Sequence, residues 1–335
     1  MSEALIKMKE VSKSFKSKQV LKGLDFDLPK GSVVGLLGKN GAGKTTLIKC
    51  GLGLLLPQSG TITVFGEEVW DLSDEAKGKL GYVPQTSSFY HWMKVGDVID
   101  YTASFYPKWN HELVNHLLDE WKFTRKEKAV LLSEGQAQQL SIIIALGHEP
   151  ELLILDEPIA SLDPAARRTF LKTIVDAVAD RECTVLFSSH ITSDLERIAD
   201  RVAILDDGKM KFSGELAQLK DEVKRLKISY SDNKPRNLEF PGILQSKSSD
   251  NETIVYVQNY NQELKEKIEQ NGSTVNVEDI NLEEIFVELT RCKINSFIKF
   301  FVVTLRIENL ELYPSWESML FLVEIACLAA EHNSG

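Results

Sequence analysis

Apolar and polar positions alternate twice in the first thirty residues, over 6–15 and again over 20–28, with a glycine supplying a turn. This period of two predicts short half-buried strands. Residues 32–38 are apolar without alternation. They predict a buried strand that runs into a glycine-rich loop and a helix beginning near Lys44. Residues 62–66 and 79–85 read as two more strands. From about Val95 to Ile144 the period lengthens to that of helices, in three stretches at 95–106, 111–123 and 136–147. Buried strands at 152–158 and 184–190 then alternate with helices at 166–180 and 191–202. Residues 203–210 read as strand, turn and strand around Asp207-Gly208. Buried strands alternating with helices predict a parallel α/β core, and the helical stretch interrupts it as an inserted subdomain, about 87–147.

The texture changes after Gly214. A helix and strand within 216–231 lead into Asn/Ser/Lys-rich stretches at 231–237 and 246–252. A strand at 253–258, a helix at 261–272 and a mixed segment at 273–290 follow. The expected organisation is a main domain over 1–219, a small α+β accessory domain over 220–290 and a tail over 291–335. In the tail, apolar runs at 296–305 and 319–330 flank a charged stretch containing Pro314. Each run is shorter than the ~18 residues of a membrane span. A packed helix, a strand, a poorly folding tail and a membrane-surface segment all fit that pattern.

Composition narrows the class. The chain has 335 residues, 43% hydrophobic and 26% charged, which excludes a mostly disordered or collagen-like polymer. The net charge of −10 argues against a surface built for nucleic acid. Cys50, Cys183, Cys292 and Cys327 are scattered and form no Cys-x-x-Cys pair, so neither a zinc site nor a disulfide framework is expected. The first residues lack the apolar core of a signal peptide, so the expected location is the cytosol, with docking on a membrane protein allowed.

The strongest chemical signal is residues 38–45, Gly38-Lys39-Asn40-Gly41-Ala42-Gly43-Lys44-Thr45, which fit G-x-x-x-x-G-K-[ST] between a strand and a helix. Glycines let the backbone curl so that successive N–H groups face phosphate oxygens, and the helix adds its positive end. Lys44 is expected at the β- and γ-phosphates, Thr45 at Mg²⁺, and Thr46 in the same cradle. Asp156 and Glu157 end the apolar strand at 152–156. There Asp156 is expected to hold Mg²⁺ and Glu157 to polarise an attacking water.

Leu132-Ser133-Glu134-Gly135-Gln136 resembles the LSGGQ signature of ATP-binding-cassette (ABC) transporter subunits, with Glu134 in place of Gly. Other motifs keep that family's order over residues 4–214. Val83-Pro84-Gln85 resembles the Q-loop, Ser161-Leu162-Asp163 the D-loop, and Ser188-Ser189-His190 the H-switch. Phe15 sits where an aromatic residue stacks on adenine. The resemblance implies a P-loop NTPase cassette with a RecA-like core, an antiparallel β subdomain and the inserted helical subdomain. It implies ATP and Mg²⁺ as cofactors, and hydrolysis by Glu157 with His190 and Gln85. It also implies a second cassette whose nucleotide is closed over by Ser133, Gly135, Gln136 and Asp163, and a separate integral membrane permease. The expected location becomes the cytoplasmic side of the membrane, at its inner face. Gln139, Ile144 and Ile159 depart from the family pattern, in which basic residues are common at the first two positions and Thr at the third.

Residues 281–290, 105–109 and 188–196 resemble cassettes serving ABC-2-type membrane subunits, mostly bacterial exporters. The aromatic-rich stretch 87–93, just after Gln85, reads either as core or as a groove wall receiving a helix of the permease. A soluble cassette ATPase acting on ribosomes or DNA is the competing class. The single P-loop, the single signature, the acidic charge and the lack of a long coiled-coil insertion argue against it.

Overall fold

A computed structural model describes residues 3–159, 162–181, 183–230, 240–249, 252–270 and 273–291. Ser161, residues 231–237, residues 250–251 of the second polar stretch and residues 292–335 lie outside them.

The alternating amino-terminal stretches form β1 (Ala4–Phe15) and β2 (Lys18–Pro29), an antiparallel pair interrupted by bulges. They are followed by β3 (Val33–Leu37), α1 (Lys44–Gly51), β4 (Ser59–Val64) and β5 (Glu67–Glu68). Strands β2-β1-β4-β5 make one antiparallel sheet. After α2 (Asp74–Gly78) and β6 (Leu80–Val83), the chain leaves the strands for α3 (Val95–Ala103), α4 (His111–Glu120) and α5 (Glu134–Gly147). It returns as β7 (Leu152–Asp156), α6 (Pro164–Arg181), β8 (Thr184–Ser189), α7 (Thr192–Ile198), β9 (Arg201–Asp206) and β10 (Lys209–Glu215). These strands give a six-stranded sheet, β10-β9-β3-β8-β7-β6, parallel except at β10.

Each central strand is apolar along its whole length because the sheet is covered on both faces. Val34, Leu36, Leu152, Ile154, Leu186 and Leu205 face a core shared with β1, β2 and α1. Their neighbours Val33, Leu37, Leu153, Leu155, Val185 and Ile204 face the other core, which continues into α3, α4 and α5 through residues such as Ile99, Leu117 and Leu140. Burying side chains of this size contributes about 1.5–3 kcal/mol each.

β5 and α2 have no counterpart in the sequence reading, and two further differences have a cause in sheet pairing. The helix expected over 191–202 stops at Ile198, and Ala199 is already extended. The run Val202–Leu205 is almost fully buried and pairs with β3, so sheet burial overrides helical continuation. Ser246, Lys247 and Ser248, the start of the second polar stretch, belong to a strand. After α8 (Leu216–Glu222) come β11 (Lys224–Tyr230) and β12 (Ile243–Ser248), and β12 pairs with β13 (Glu252–Val257) at a sheet edge, where polar side chains remain exposed.

α9 (Gln262–Glu269), β14 (Ser273–Asp279) and α10 (Leu282–Leu289) complete the described chain. The third sheet, β12-β13-β11-β14, has its own small core around Leu226, Ile228, Val255, Val257 and Val275. Leu282 and Ile285 of α10 belong instead to the main core, together with Leu195 of α7.

Candidate functional site

The parallel register brings three strand ends together. Leu37 is level with Ser189, and Asp156 with Ser188, so the loop after β3, the carboxylates after β7 and the hydroxyls of β8 converge. Ligands of open α/β sheets bind at such carboxyl ends. The loop itself needs glycine. Gly43 has φ 109° at the N-cap of α1, and a Cβ on Gly38 would meet the Leu205 carbonyl at 2.7 Å. Ala42 N–H donates to the Lys39 carbonyl (3.1 Å), and Gly208 N–H to the Ala42 carbonyl (3.2 Å), bracing the loop on the β9–β10 turn. α1 has no side-chain cap and no acidic residue in its first turn, which leaves its N–H donors for an anion.

Lys44 and Glu157 are both about nine-tenths buried or more, at 6% exposure. Lys44 Nζ donates to the Gly38 carbonyl at 2.7 Å and lies 3.1 Å from Glu157 Oε1. His190 Nδ1 donates to Glu157 Oε2 at 2.8 Å. Glu157 has φ 49°, a conformation costly for a side chain with a Cβ, and its N–H donates to Ser188 Oγ at 2.9 Å. The same Ser188 hydroxyl donates to Asp156 Oδ1 at 2.9 Å, which Thr45 Oγ1 also reaches at 3.2 Å. Asp156 is fully buried, and its Oδ2 has no partner. Burial pushes its carboxyl above the usual range, against the opposing hydrogen bonds from Ser188 and Thr45.

A cleft of about 440 Å³ opens over these groups. Asn40, Gly41, Gly43, Lys44, Thr45 and Thr46 line one side. Phe15, Gln85 and Glu157 complete it. Phe15 is 47% exposed, with Lys13 Nζ 5.3 Å from its ring centre. Lys18 and Lys39 also line the cleft, and neither stands out in sequence. Ser188 is a further residue that sequence reasoning passed over. Its signal is a hydroxyl at the end of a buried strand, in register with Asp156, and register is invisible in a linear motif.

The remaining site residues lie elsewhere. Ser133 caps α5: its Oγ accepts from Gln136 N–H, and Gln136 Oε1 accepts from Ser133 N–H. Gly135 lies in the first turn of α5. Asp163 Oδ1 accepts from Ala165 and Ala166 N–H, ahead of Pro164 at the start of α6. None of these four lines the cleft.

The aromatic stretch is partly core and partly exposed. Phe89 and Met93 pack against the main core, while Tyr90 and Trp92 are 59% and 61% exposed and stack at 4.7 Å. With Tyr101 and Ile144 they border a separate cavity of about 260 Å³, Trp92 excepted. No helix among the described residues is long and apolar enough to cross a membrane.

Residues 21–160 match the ABC transporter family model. The chain is 33% identical over 295 residues to the uncharacterized ABC transporter ATP-binding protein YhaQ of Bacillus subtilis (strain 168), covering 85% of this chain and 98% of that protein. It is 33% identical over 208 residues to the bacitracin transport ATP-binding protein BcrA of Bacillus licheniformis, covering 62% of this chain and 68% of that one. A solved structure of the ATP binding subunit of an ABC transporter matches with TM-score 0.60 at 29% identity, over 65% of this chain and 92% of that chain. Similarity along nearly the whole of such a relative makes this chain a member of the ABC transporter family, an ATP-binding subunit and ATPase that powers transport through a separate permease.

Proposed function

We propose that this chain is the motor of an ABC-2-type exporter, seated at the inner face of the membrane and working as a pair of cassettes. The observation that carries the hydrolytic part is Glu157, held at one oxygen by Lys44 and at the other by His190. An arriving γ-phosphate is a second anion for Lys44. It draws Lys44 from Glu157 and leaves Oε1 to accept a proton from the attacking water. His190 keeps Oε2 and so keeps the carboxylate aimed. Loop N–H groups and the start of α1 take the phosphate charge, and Phe15 offers its face to the base.

Mg²⁺ fits the donors present. Thr45 Oγ1 and the unpartnered Asp156 Oδ2 are hard oxygen ligands, and Gln85 lines the same cleft. Bound there, the ion would neutralise charge on the β- and γ-phosphates and remove the penalty that burial places on the Asp156 carboxylate.

Ser133, Gly135, Gln136 and Asp163 lie off their own cleft, which fits contributions to the nucleotide of a second cassette, a copy of this chain or a different one. For the permease we assign the cavity bordered by Phe89, Tyr90, Met93, Tyr101 and Ile144 as a docking groove. Its wall connects to the cleft: Ser141 Oγ donates to Ser87 Oγ, Ser87 Oγ to Gln138 Oε1, and Gln138 Nε2 to the Pro84 carbonyl, next to Gln85. Export is favoured by the carboxyl-terminal motif of residues 281–290 and by the similarity to BcrA. Purification of the tagged chain from detergent-solubilised membranes tests the proposal. A multi-span membrane protein is expected as the co-purifying partner, and recovery with ribosomes or DNA instead would overturn it.

A further inference from the structure

One side chain ties the phosphate loop to the far end of the described chain. Lys39 Nζ donates to the Thr290 carbonyl at 3.1 Å, across 251 residues of sequence. Thr290 is the C-cap of α10, is 3% exposed, and its hydroxyl donates to the Phe286 carbonyl at 2.8 Å. The carboxyl end of a helix carries unpaired carbonyls and partial negative charge, which cations satisfy. α10 has Glu283 and Glu284 in its first turn and no basic residue in its last, so Lys39 brings a cation from outside the helix.

Both ends of this contact are anchored. Leu282 and Ile285 are fully buried in the core that also holds Leu195, and α7, which carries Leu195, begins two residues after His190. In the loop, the Lys39 carbonyl accepts from Ala42 N–H at 3.1 Å and from Lys44 Nζ at 3.4 Å. The peptide that shapes the phosphate turn, and on which Lys44 leans, therefore belongs to the residue whose side chain α10 holds.

We infer that Lys39 is a positioning residue through which α10 holds the phosphate loop in its nucleotide-receiving shape, coupling the segment 220–290 to nucleotide binding. The inference rests on the ATP-site reading and adds a role for the carboxyl-terminal segment. By reciprocity, nucleotide bound at the loop must tighten the end of α10. Lys39 is exposed, so its substitution leaves both cores intact.

The test uses the full chain with Lys39→Met and Lys39→Arg. Mg·ADP and Mg·ATP affinities, steady-state ATPase and hydrogen exchange of residues 286–290 are measured. In the parent, saturating Mg·ADP is expected to slow exchange at 286–290. Lys39→Met is expected to lose that slowing and to weaken both nucleotides by about five- to ten-fold, the range of a cation at a partly buried helix terminus. At subsaturating Mg·ATP its ATPase rate is expected to fall in step with that affinity. Lys39→Arg is expected to restore affinity and slowing. Exchange at 286–290 that ignores ADP in the parent would overturn the coupling, as would parental affinity in Lys39→Met. A loss confined to ATP would assign Lys39 to the γ-phosphate and overturn the positioning role. A parent that binds neither nucleotide would overturn the site reading, and this inference with it.

Discussion

Lys44 Nζ and Glu157 Oε1 lie 3.1 Å apart in a pair that is almost closed to solvent, so the phosphate-loop cation and the carboxylate proposed as general base are each other's counter-ion. Removing one partner of a buried pair is costly because it leaves an uncompensated buried charge, so an anion that replaces Glu157 at Lys44 keeps that cation compensated only while Glu157 keeps a partner of its own. In the proposed mechanism a phosphate arriving at Lys44 would take the place of the carboxylate, which keeps its 2.8 Å contact with His190.

Glu157→Gln should keep Mg·ATP binding, since it removes an anion that competes for Lys44, and should cut turnover by ~10²–10⁴-fold, the usual contribution of a general base. Equilibrium binding and steady-state phosphate release measure the two effects. Turnover equal to the parent's would remove Glu157 from the base role.

Ser133 has a structural duty as the cap of α5, worth about 1 kcal/mol, besides its proposed contact across a cassette pair. Substitution with Ala and with Arg separates the two. In a Glu157→Gln background with ATP, the parent and Ser133→Ala should scatter light as dimers. Ser133→Arg should stay monomeric while its own loop still binds ATP. Equal dimerisation of all three would exclude the signature from the interface.

Trp92 is 61% exposed, stacks on Tyr90 of the proposed groove and does not line the phosphate-loop cleft. Trp92→Ala should lower recovery of the membrane partner several-fold, on the order of a 1–2 kcal/mol interface anchor, with basal ATPase unchanged. Equal loss of ATPase and partner would mean that the stretch supports the fold instead.

His148 is buried against Tyr106 and donates from Nε2 to the Leu80 carbonyl, and burial pushes its imidazole from 6.5 down to about 4. Between those values the unfolded chain holds a proton that the folded chain refuses. Stability is therefore intact above 6.5 and falls as pH drops toward 4, by at most about 1.4 kcal/mol per pH unit. Urea midpoints across that window should fall less steeply for His148→Gln than for the parent. The raised carboxyls of Asp156 and Asp200 act with the opposite sign but are common to both proteins. Parallel curves would show that another group is responsible.

Much of this molecule is written locally. The phosphate loop is eight consecutive residues, and the strand before it and helix after it follow from a buried apolar run and from Lys44 onward. Asp156 and Glu157 are adjacent at the end of a strand whose apolar length announces it. The β9–β10 hairpin turns at Asp207-Gly208, both with positive φ, as that dipeptide favours.

Long-range pairing decided the rest, because period and composition carry no register. Apolarity along β3, β7 and β8 says that both faces are buried, but not that Val34 joins one core and Val33 the other. A polar edge strand such as β12 has no alternation to read, and β9 claims residues that helical period would have kept. The same holds in the site. The sequence supplies Lys44, Asp156, Glu157 and His190 as types in order. Sheet register makes Glu157 the meeting point of Lys44 and His190 and sets Ser188 between Asp156 and Glu157, while packing of α10 against α7 in the main core puts its end within reach of Lys39. These contacts span 31 to 251 residues, and only burial of the intervening chain closes such distances.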